Sequence, residues 1–441
     1  MGKRPTRRSS ASSDRAKWLA ALAAPFLLGG CALASAGSVV GSAAIAPGKT
    51  EATSWRSVDA ETGKIADIAG LEQLARDFPD SSSVRLRLLT AYIREEDKPA
   101  ARVALAWLLD RDYAFSAAGQ ATLAAFFEDF DGALIERIAG APRIVAQSTV
   151  TDIVPAGARL LEGIVATSDD RWIATSIVDR ALYLSAAMGE WVRKDIPGAG
   201  SLAGIVFDQE SDTLWVSSGV YEPTPDPQSA FRGLIGWDRE QDTLRRLAAP
   251  ADATPSDLFL AADGRLYASD PLNGSIYSAG PGDERLEAFI GSGTFRSPQG
   301  LVPVDGGRKL LVSDYRYGLA TVNLATRRVE RVRTSLAVAL DGIDGMWVHG
   351  ERIVAVQNGI SPQRLLLIEL DRRATAVVAV EILELGHPDW LEPLGGTIPD
   401  GAFHYIASGQ WNRYGEGGVA RTDLPPLRTV IRRVELPPRG D

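Results

Sequence analysis

The feature that most constrains this chain is a unit repeated six times: a short, usually Gly-containing entry, an apolar run, a polar turn and a second apolar run. The units read Glu162-Gly163-Ile164-Val165 to Trp172-Ile173-Ala174, Gly204-Ile205-Val206-Phe207 to Leu214-Trp215-Val216, and Leu258-Phe259-Leu260 to Leu266-Tyr267-Ala268. They continue as Gly300-Leu301-Val302 to Leu310-Leu311-Val312, Gly345-Met346-Trp347-Val348 to Ile353-Val354-Ala355-Val356, and Gly395-Gly396-Thr397-Ile398 to Phe403-His404-Tyr405-Ile406. Gly163 and Gly204 are 41 residues apart, and Gly300 and Gly345 are 45 apart. Each pair of apolar runs alternates with the period of a half-buried strand, and turn residues such as Asp169-Asp170, Asp263-Gly264 and Asp305-Gly306-Gly307 separate them. Paired strands recurring at about 40–50 residues predict the blades of a β-propeller. The expected fold is therefore mainly β, a six-bladed β-propeller over residues 143–437, closed by Ile144 to Ile153 or by Thr429 to Leu436.

Ahead of the propeller the period is that of a helix. Apolar residues recur three and four apart at Ile65, Ile68, Leu71, Leu74 and Ala75, then at Val84, Leu86, Leu89, Tyr92 and Ile93. Pro99 suits the start of a further helix after the polar turn Arg94 to Lys98. Leu89, Ala91 and Tyr92 map onto Leu123, Ala125 and Phe126, and Leu74 onto Leu108, all at an offset of 34. That is the period of tetratricopeptide helix pairs, although the signature Trp and Gly are missing. Two units are fewer than a free-standing array needs, so residues 65–142 are expected to pack on the propeller, as a cap or as a groove for a partner peptide.

The N-terminus carries Lys3, Arg4, Arg7, Arg8, Arg15 and Lys17, followed by the apolar run Trp18 to Leu28. The run is too short to span a bilayer but suits a secretory signal over residues 1–30. Leu28-Gly29-Gly30-Cys31 resembles the lipobox of bacterial lipoproteins, which implies cleavage before Cys31 and lipid on its sulfur. Ordinary signal cleavage after Ala34 or Ala36 is the alternative. Cys31 is the only cysteine, so no internal disulfide forms. With Ala32 following, the lipobox resemblance implies a periplasm-facing outer-membrane lipoprotein, with residues 31–64, rich in small residues at their start, as a flexible tether.

The net charge is −9, and it falls to −14 without residues 1–30. That balance argues against nucleic acid as a partner, which needs clustered Lys and Arg. Among candidate chemistries, no G-x-S-x-G elbow and no phosphate-cradling Gly loop is present. The three histidines, His349, His387 and His404, show no metal-ligand spacing.

Propeller topology places the residue entering each inner strand and the residues leaving each second strand at one mouth of the axial channel. Glu162, Gln299 and Asp344 are entry residues; Ser269-Asp270, Ser313-Asp314 and Gln357-Asn358 are exit residues. Asp270, Asp314 and Asn358 are thus expected to line the pocket, joined by Trp390 and Trp411 from loops near the last blade. Convergent oxygen donors suit Ca²⁺ or another divalent cation such as Zn²⁺. The alternative is that polar side chains merely cap strand ends there.

The motifs Glu162-Gly163, Gln299-Gly300 and Asp344-Gly345 resemble the gluconolactonase and regucalcin family of six-bladed propellers, in order and approximate spacing over roughly residues 145–437. That resemblance implies one divalent metal held by Glu162, Gln299 and Asp344, with Asp344 also serving proton transfer in lactone hydrolysis. Gln299 stands where the family has Asn, and the family's substrate-binding Arg and Asn have no counterparts. Two functions follow as expectations: a metal-dependent hydrolase of lactones or esters, or a non-catalytic envelope module that binds a protein or saccharide partner.

Overall fold

A computed structural model describes residues 54–169, 171–186 and 189–438. The expected signal segment, the lipidation site Cys31 and tether residues 31–53 lie outside the described residues.

Six sheets are arranged as the repeat requires. Blade 1 contains β2 (Leu161–Ala166), β3 (Trp172–Ser176), β4 (Ala181–Ser185) and β5 (Trp191–Asp195), and blade 2 contains β6 (Ser201–Asp208), β7 (Thr213–Gly219), β8 (Gly233–Asp238) and β9 (Thr243–Ala248). Blade 3 is β10 (Leu258–Leu260), β11 (Leu266–Asp270), β12 (Ser275–Ala279) and β13 (Glu287–Ile290). Blade 4 is β14 (Pro298–Val304), β15 (Lys309–Asp314), β16 (Gly318–Asn323) and β17 (Val329–Arg331). Blade 5 runs β19 (Gly345–His349), β20 (Arg352–Gln357), β21 (Arg364–Leu370) and β22 (Ala376–Leu385), with β18 (Arg333–Thr334) added in parallel outside β22. Blade 6 closes the ring with both ends of the chain. Its inner three strands are β23 (Gly396–Thr397), β24 (Ala402–Ile406) and β25 (Thr429–Glu435), and its outer strand is β1 (Thr149–Val154), antiparallel to β25. Closure thus uses both of the segments expected from the sequence.

The second strands are the most apolar and are buried almost throughout: β11, β20 and β24 have at most one residue that is not fully enclosed. Blade faces bury separate clusters, for example Ile173, Leu182, Leu214, Val216 and Ile235 between blades 1 and 2. The strand period of 2 that marked these segments is therefore read out as alternation between adjacent blade interfaces.

Residues 60–139 form six helices: α1 (Ala60–Lys64), α2 (Ile68–Asp77), α3 (Ser82–Arg94), α4 (Lys98–Leu109), α5 (Ala117–Phe127) and α6 (Gly132–Ala139). Each begins at an Asp or Ser whose side chain accepts a backbone N–H of the first turn: Asp59, Asp67, Ser81, Asp97, Ser116 and Asp131. Pro99 sits in the first turn of α4 as expected. Residues 54–64 depart from the expected tether. Trp55 and Val58 are buried, with Trp55 against Phe78 and Phe295 (ring centroids 5.0 and 5.3 Å), so this stretch packs instead of spanning a gap.

The helices form one apolar cluster with blades 3 and 4, including Leu74, Leu105 and Leu123 beside Tyr267, Phe295 and Leu310. Polar contacts fix the orientation. Asp341, ahead of blade 5, accepts the backbone N–H of Ser82 and of Ser83 at 2.8 Å each and so adds a second cap to α3. The buried Arg364 guanidinium donates to the carbonyls of Arg111 and Asp112, both at 3.3 Å, just beyond α4. Both docking residues come from linkers or strands near the same end of blade 5 that carries Asp344.

Candidate functional site

The inner strands do not run straight past the axis. The register of β2 against β3 shifts between Leu161 and Ile164, that of β6 against β7 between Leu202 and Ile205, and that of β14 against β15 between Pro298 and Leu301. Each irregularity falls on a residue followed by glycine: Glu162-Gly163, Ala203-Gly204 and Gln299-Gly300. A bulge re-aims side chains locally, which turns these positions toward the channel. The glycines are required by close approach. A Cβ on Gly163 would lie 2.7 Å from the Ala203 carbonyl, and one on Gly204 would lie 2.4 Å from that of Ser256. Hydroxyls from the second strands satisfy the displaced amides: Thr175 Oγ1 accepts from Gly163 N and Ser217 Oγ from Gly204 N, both at 2.9 Å.

All six blades then line one axial cavity of about 60 Å³, bounded by Glu162, Ala203, Asp257, Gln299, Asp344 and Gly395 among others. The expected trio Glu162, Gln299 and Asp344 does converge there. Around it the polar groups are ordered by side-chain donors. Trp411 Nε1 donates to Glu162 Oε2 at 2.7 Å, and Asn358 Nδ2 donates to Asp344 Oδ2 at 2.8 Å. Asn358 Oδ1 in turn accepts from the Tyr315 hydroxyl at 2.9 Å. Tyr221, from the insert in blade 2, packs edge-on against Trp411 with centroids 5.6 Å apart.

Other expected pocket residues are elsewhere. Asp270 is fully buried, but it accepts the backbone N–H groups of Thr254, Leu272 and Asn273 and clamps its own loop. Asp314 does the same with Arg296, Ser297, Arg316 and Tyr317. Short loops leave many backbone donors unmet, and an ionised carboxylate just past a strand is the strongest acceptor available to them. Trp390 donates to the Tyr405 hydroxyl at 3.0 Å and stacks on His387, so it serves the seam between blades 5 and 6. The histidines stay away from the axis: His349 bonds the Pro437 carbonyl, His387 meets Arg432, and His404 meets Asp400.

Two carboxyls that the sequence reading missed belong to the axial group. Asp257 lines the cavity from the entry of blade 3, and Glu392 approaches from the loop before blade 6. Asp257 precedes Leu258 as Asp344 precedes Gly345, so register alone marks its place. Glu392 lies outside the register, and nothing in the pattern marks it.

Four carboxyls in one enclosed site raise one another's proton affinity. Burial pushes Glu162 well above the usual carboxylate range, and the charges of Asp344 and Glu392 push it further. Asp257 and Glu392 each rise to about 7, from burial first and then from the Asp344 charge. Asp344 rises less, to about 6, because the Asn358 hydrogen bond offsets part of its burial. Among the described residues, no group of three or more His, Cys, Asp or Glu side chains is arranged to hold a metal ion. The arrangement can store protons near neutrality, and it presents concentrated negative potential to any cation that enters.

No protein-family profile matches the chain, and no curated protein matches it either. Solved structures give a looser likeness. A regucalcin described as calcium-binding, from Agrobacterium tumefaciens, aligns at TM-score 0.45 and 14% identity over 66% of this chain and 96% of its own. A gluconolactonase from Xanthomonas campestris aligns at 0.44 and 13% over 68% and 99%, and a PQQ-bound aldose sugar dehydrogenase from Streptomyces coelicolor at 0.43 and 15% over 67% and 100%. At these values the likeness assigns neither activity nor ligand, and the propeller stands on its own six sheets.

Proposed function

We propose that the axial cavity binds a divalent cation, Ca²⁺ or Zn²⁺, and that the protein uses this site to hydrolyse a small lactone or ester presented at the mouth. The observation that carries the reading is the convergence of Glu162, Asp257, Asp344 and Glu392 on one enclosed axis, where burial and mutual repulsion raise their affinity for protons. Either protons or a cation must relieve that repulsion. Glu162 and Asp344 would hold the ion with the Gln299 carboxamide, and water would complete the shell. The cavity of about 60 Å³ suits an ion with a few waters. When bound, such an ion polarises a carbonyl and lowers the pKa of a water molecule.

The chain's own residues supply the rest. Asn358 fixes Asp344 through Oδ2 and leaves Oδ1 to take a proton from an attacking water. Trp411 fixes Glu162 in the same manner. With a pKa near 6, Asp344 is a base poised for neutral pH. Asp344→Asn should abolish hydrolysis of lactone and ester substrates while leaving the unfolding transition in place; unchanged turnover would exclude Asp344 as the base.

A second reading, a non-catalytic envelope module, is favoured by the same small cavity, since pockets for organic ligands are several hundred Å³. The helical segment docked beside the mouth would then be the partner-binding element, in the manner of a tetratricopeptide cap. In both readings we place the protein at the periplasmic face of the outer membrane, anchored by lipid at Cys31. Mass spectrometry of the membrane-extracted protein, finding an unmodified Cys31, would refute the anchor.

A further inference from the structure

A second charged cluster lies away from the axis, where the helical segment meets the joint of blades 4 and 5, and its sign is opposite. Arg85 on α3 and Arg111 just beyond α4 gather around Asp80 and Trp107, Arg331 at the end of β17 joins them at Asp80, and Arg333 in β18 lies beside Arg331. Arg331 Nη1 is 3.3 Å from Asp80 Oδ2, and Arg111 and Arg85 are the next cations acting on that carboxylate. Arg333 acts on Arg331, and Arg85 acts on Arg111, each as a like charge. Two guanidiniums share the Trp107 indole: Arg111 at 3.9 Å and Arg85 at 5.1 Å from the ring centroid.

The cluster is short of negative partners. Asp77 acts on Arg331 but is paired with Arg56 at 2.5 Å, and Asp110 acts on Arg111 but is paired with Arg137 at 2.7 Å. Asp80 alone remains, and burial pushes its own carboxyl up to about 6, against its charge. The Nε atoms of Arg85, Arg111 and Arg333 are buried and have no hydrogen-bond partner among the described residues. An unmet buried donor is costly. Arginine forks match tetrahedral oxyanions in shape and charge. The chain as a whole is acidic, at a net charge of −9, so this concentration of arginines is local and not part of a general basic surface.

We propose that this arginine cluster binds a small dianionic oxyanion, a phosphate or phosphomonoester, through Arg85, Arg111, Arg331 and Arg333, with Trp107 holding the Arg85 and Arg111 guanidiniums in place. Because α3, the end of α4 and both blades contribute, an anion there ties the helical segment to the propeller rim. Asp80 competes with the ligand for Arg331.

The test is calorimetric titration and thermal unfolding of the full chain with inorganic phosphate, against sodium chloride at matched ionic strength. One phosphate should bind per chain and raise the unfolding temperature beyond chloride. Arg85→Gln with Arg111→Gln should weaken binding at least tenfold, the order expected when charge-assisted forks are lost. Asp80→Asn should strengthen it several-fold, a gain that misfolding cannot mimic and that decides the matter if the double variant does not fold. Phosphate without effect beyond chloride, or Asp80→Asn binding no more tightly, overturns the proposal. Sedimentation with phosphatidylglycerol vesicles in the absence of any response to phosphate overturns it also, because the cluster would then be a lipid contact.

Discussion

Asp257→Asn isolates the electrostatic state of the axial site. The Asp257 carboxyl accepts no hydrogen bond among the described residues, so the amide leaves the local hydrogen bonds intact, and its backbone carbonyl still takes Ser269 N at 2.9 Å. The folded carboxyl titrates near 7 instead of the usual value near 3.8. A raised acid favours folding when it is protonated. That advantage is complete below pH 4, and it is lost as pH rises from the unfolded pKa through the folded one. The loss is about 1.4 kcal/mol per pH unit over that window, so the penalty is about 1.5 kcal/mol at pH 5 and about 4 kcal/mol at pH 8. With chelator present, Asp257→Asn should therefore gain stability relative to wild type by about 2.5 kcal/mol between pH 5 and pH 8. Urea unfolding at the two pH values, compared at constant m, measures this directly. A variant whose stability relative to wild type is the same at both pH values would refute the raised pKa. A variant destabilised more at pH 8 would reverse the sign of the account.

Two further perturbations test the surroundings. Asn358→Ala removes the donor to Asp344 Oδ2, so the carboxyl should titrate higher and cation affinity should fall about 10–100-fold, as when a ligand's outer hydrogen bond is lost; titration of the variant at pH 7 reads this out. Asp341→Ala strips the cap that Ser82 N, Ser83 N and Ser82 Oγ share, and it should cost about 3 kcal/mol. Hydrogen exchange should then accelerate across residues 60–139 and leave blades 1 and 2 unchanged.

The propeller was legible because each blade repeats its own hydrophobic pattern, and five of the six entries carry a glycine in register. Glu162, Gln299 and Asp344 were found for the same reason: the glycines that follow them, Gly163, Gly300 and Gly345, are local features that a sequence displays. Asp257 stands in the same register but was missed, because its unit lacks the marker glycine. Asp270 and Asp314 were misassigned to the pocket because topology gives the end of the barrel a residue occupies but not the partner its carboxylate prefers. In both loops the nearest unmet partners are backbone amides. Glu392 and the Trp411 bond to Glu162 depend on how long loops fold back over the axis, and no periodicity encodes that. The ordered stretch 54–64 escaped for a related reason: Trp55 and Val58 are buried by residues 240 positions away or thereabouts, such as Phe295.

Calorimetric titration of Ca²⁺ and of Zn²⁺ at pH 6.5, in two buffers of different ionisation enthalpy, decides whether the axial carboxyls form a cation site. Because Asp257 and Glu392, pushed up to about 7, hold protons near that pH, binding must release them. One ion should bind per chain with release of about one proton or more, and Glu162→Gln should lose both signals. Absence of binding by either ion, or binding that Glu162→Gln leaves intact, would contradict a cation site there.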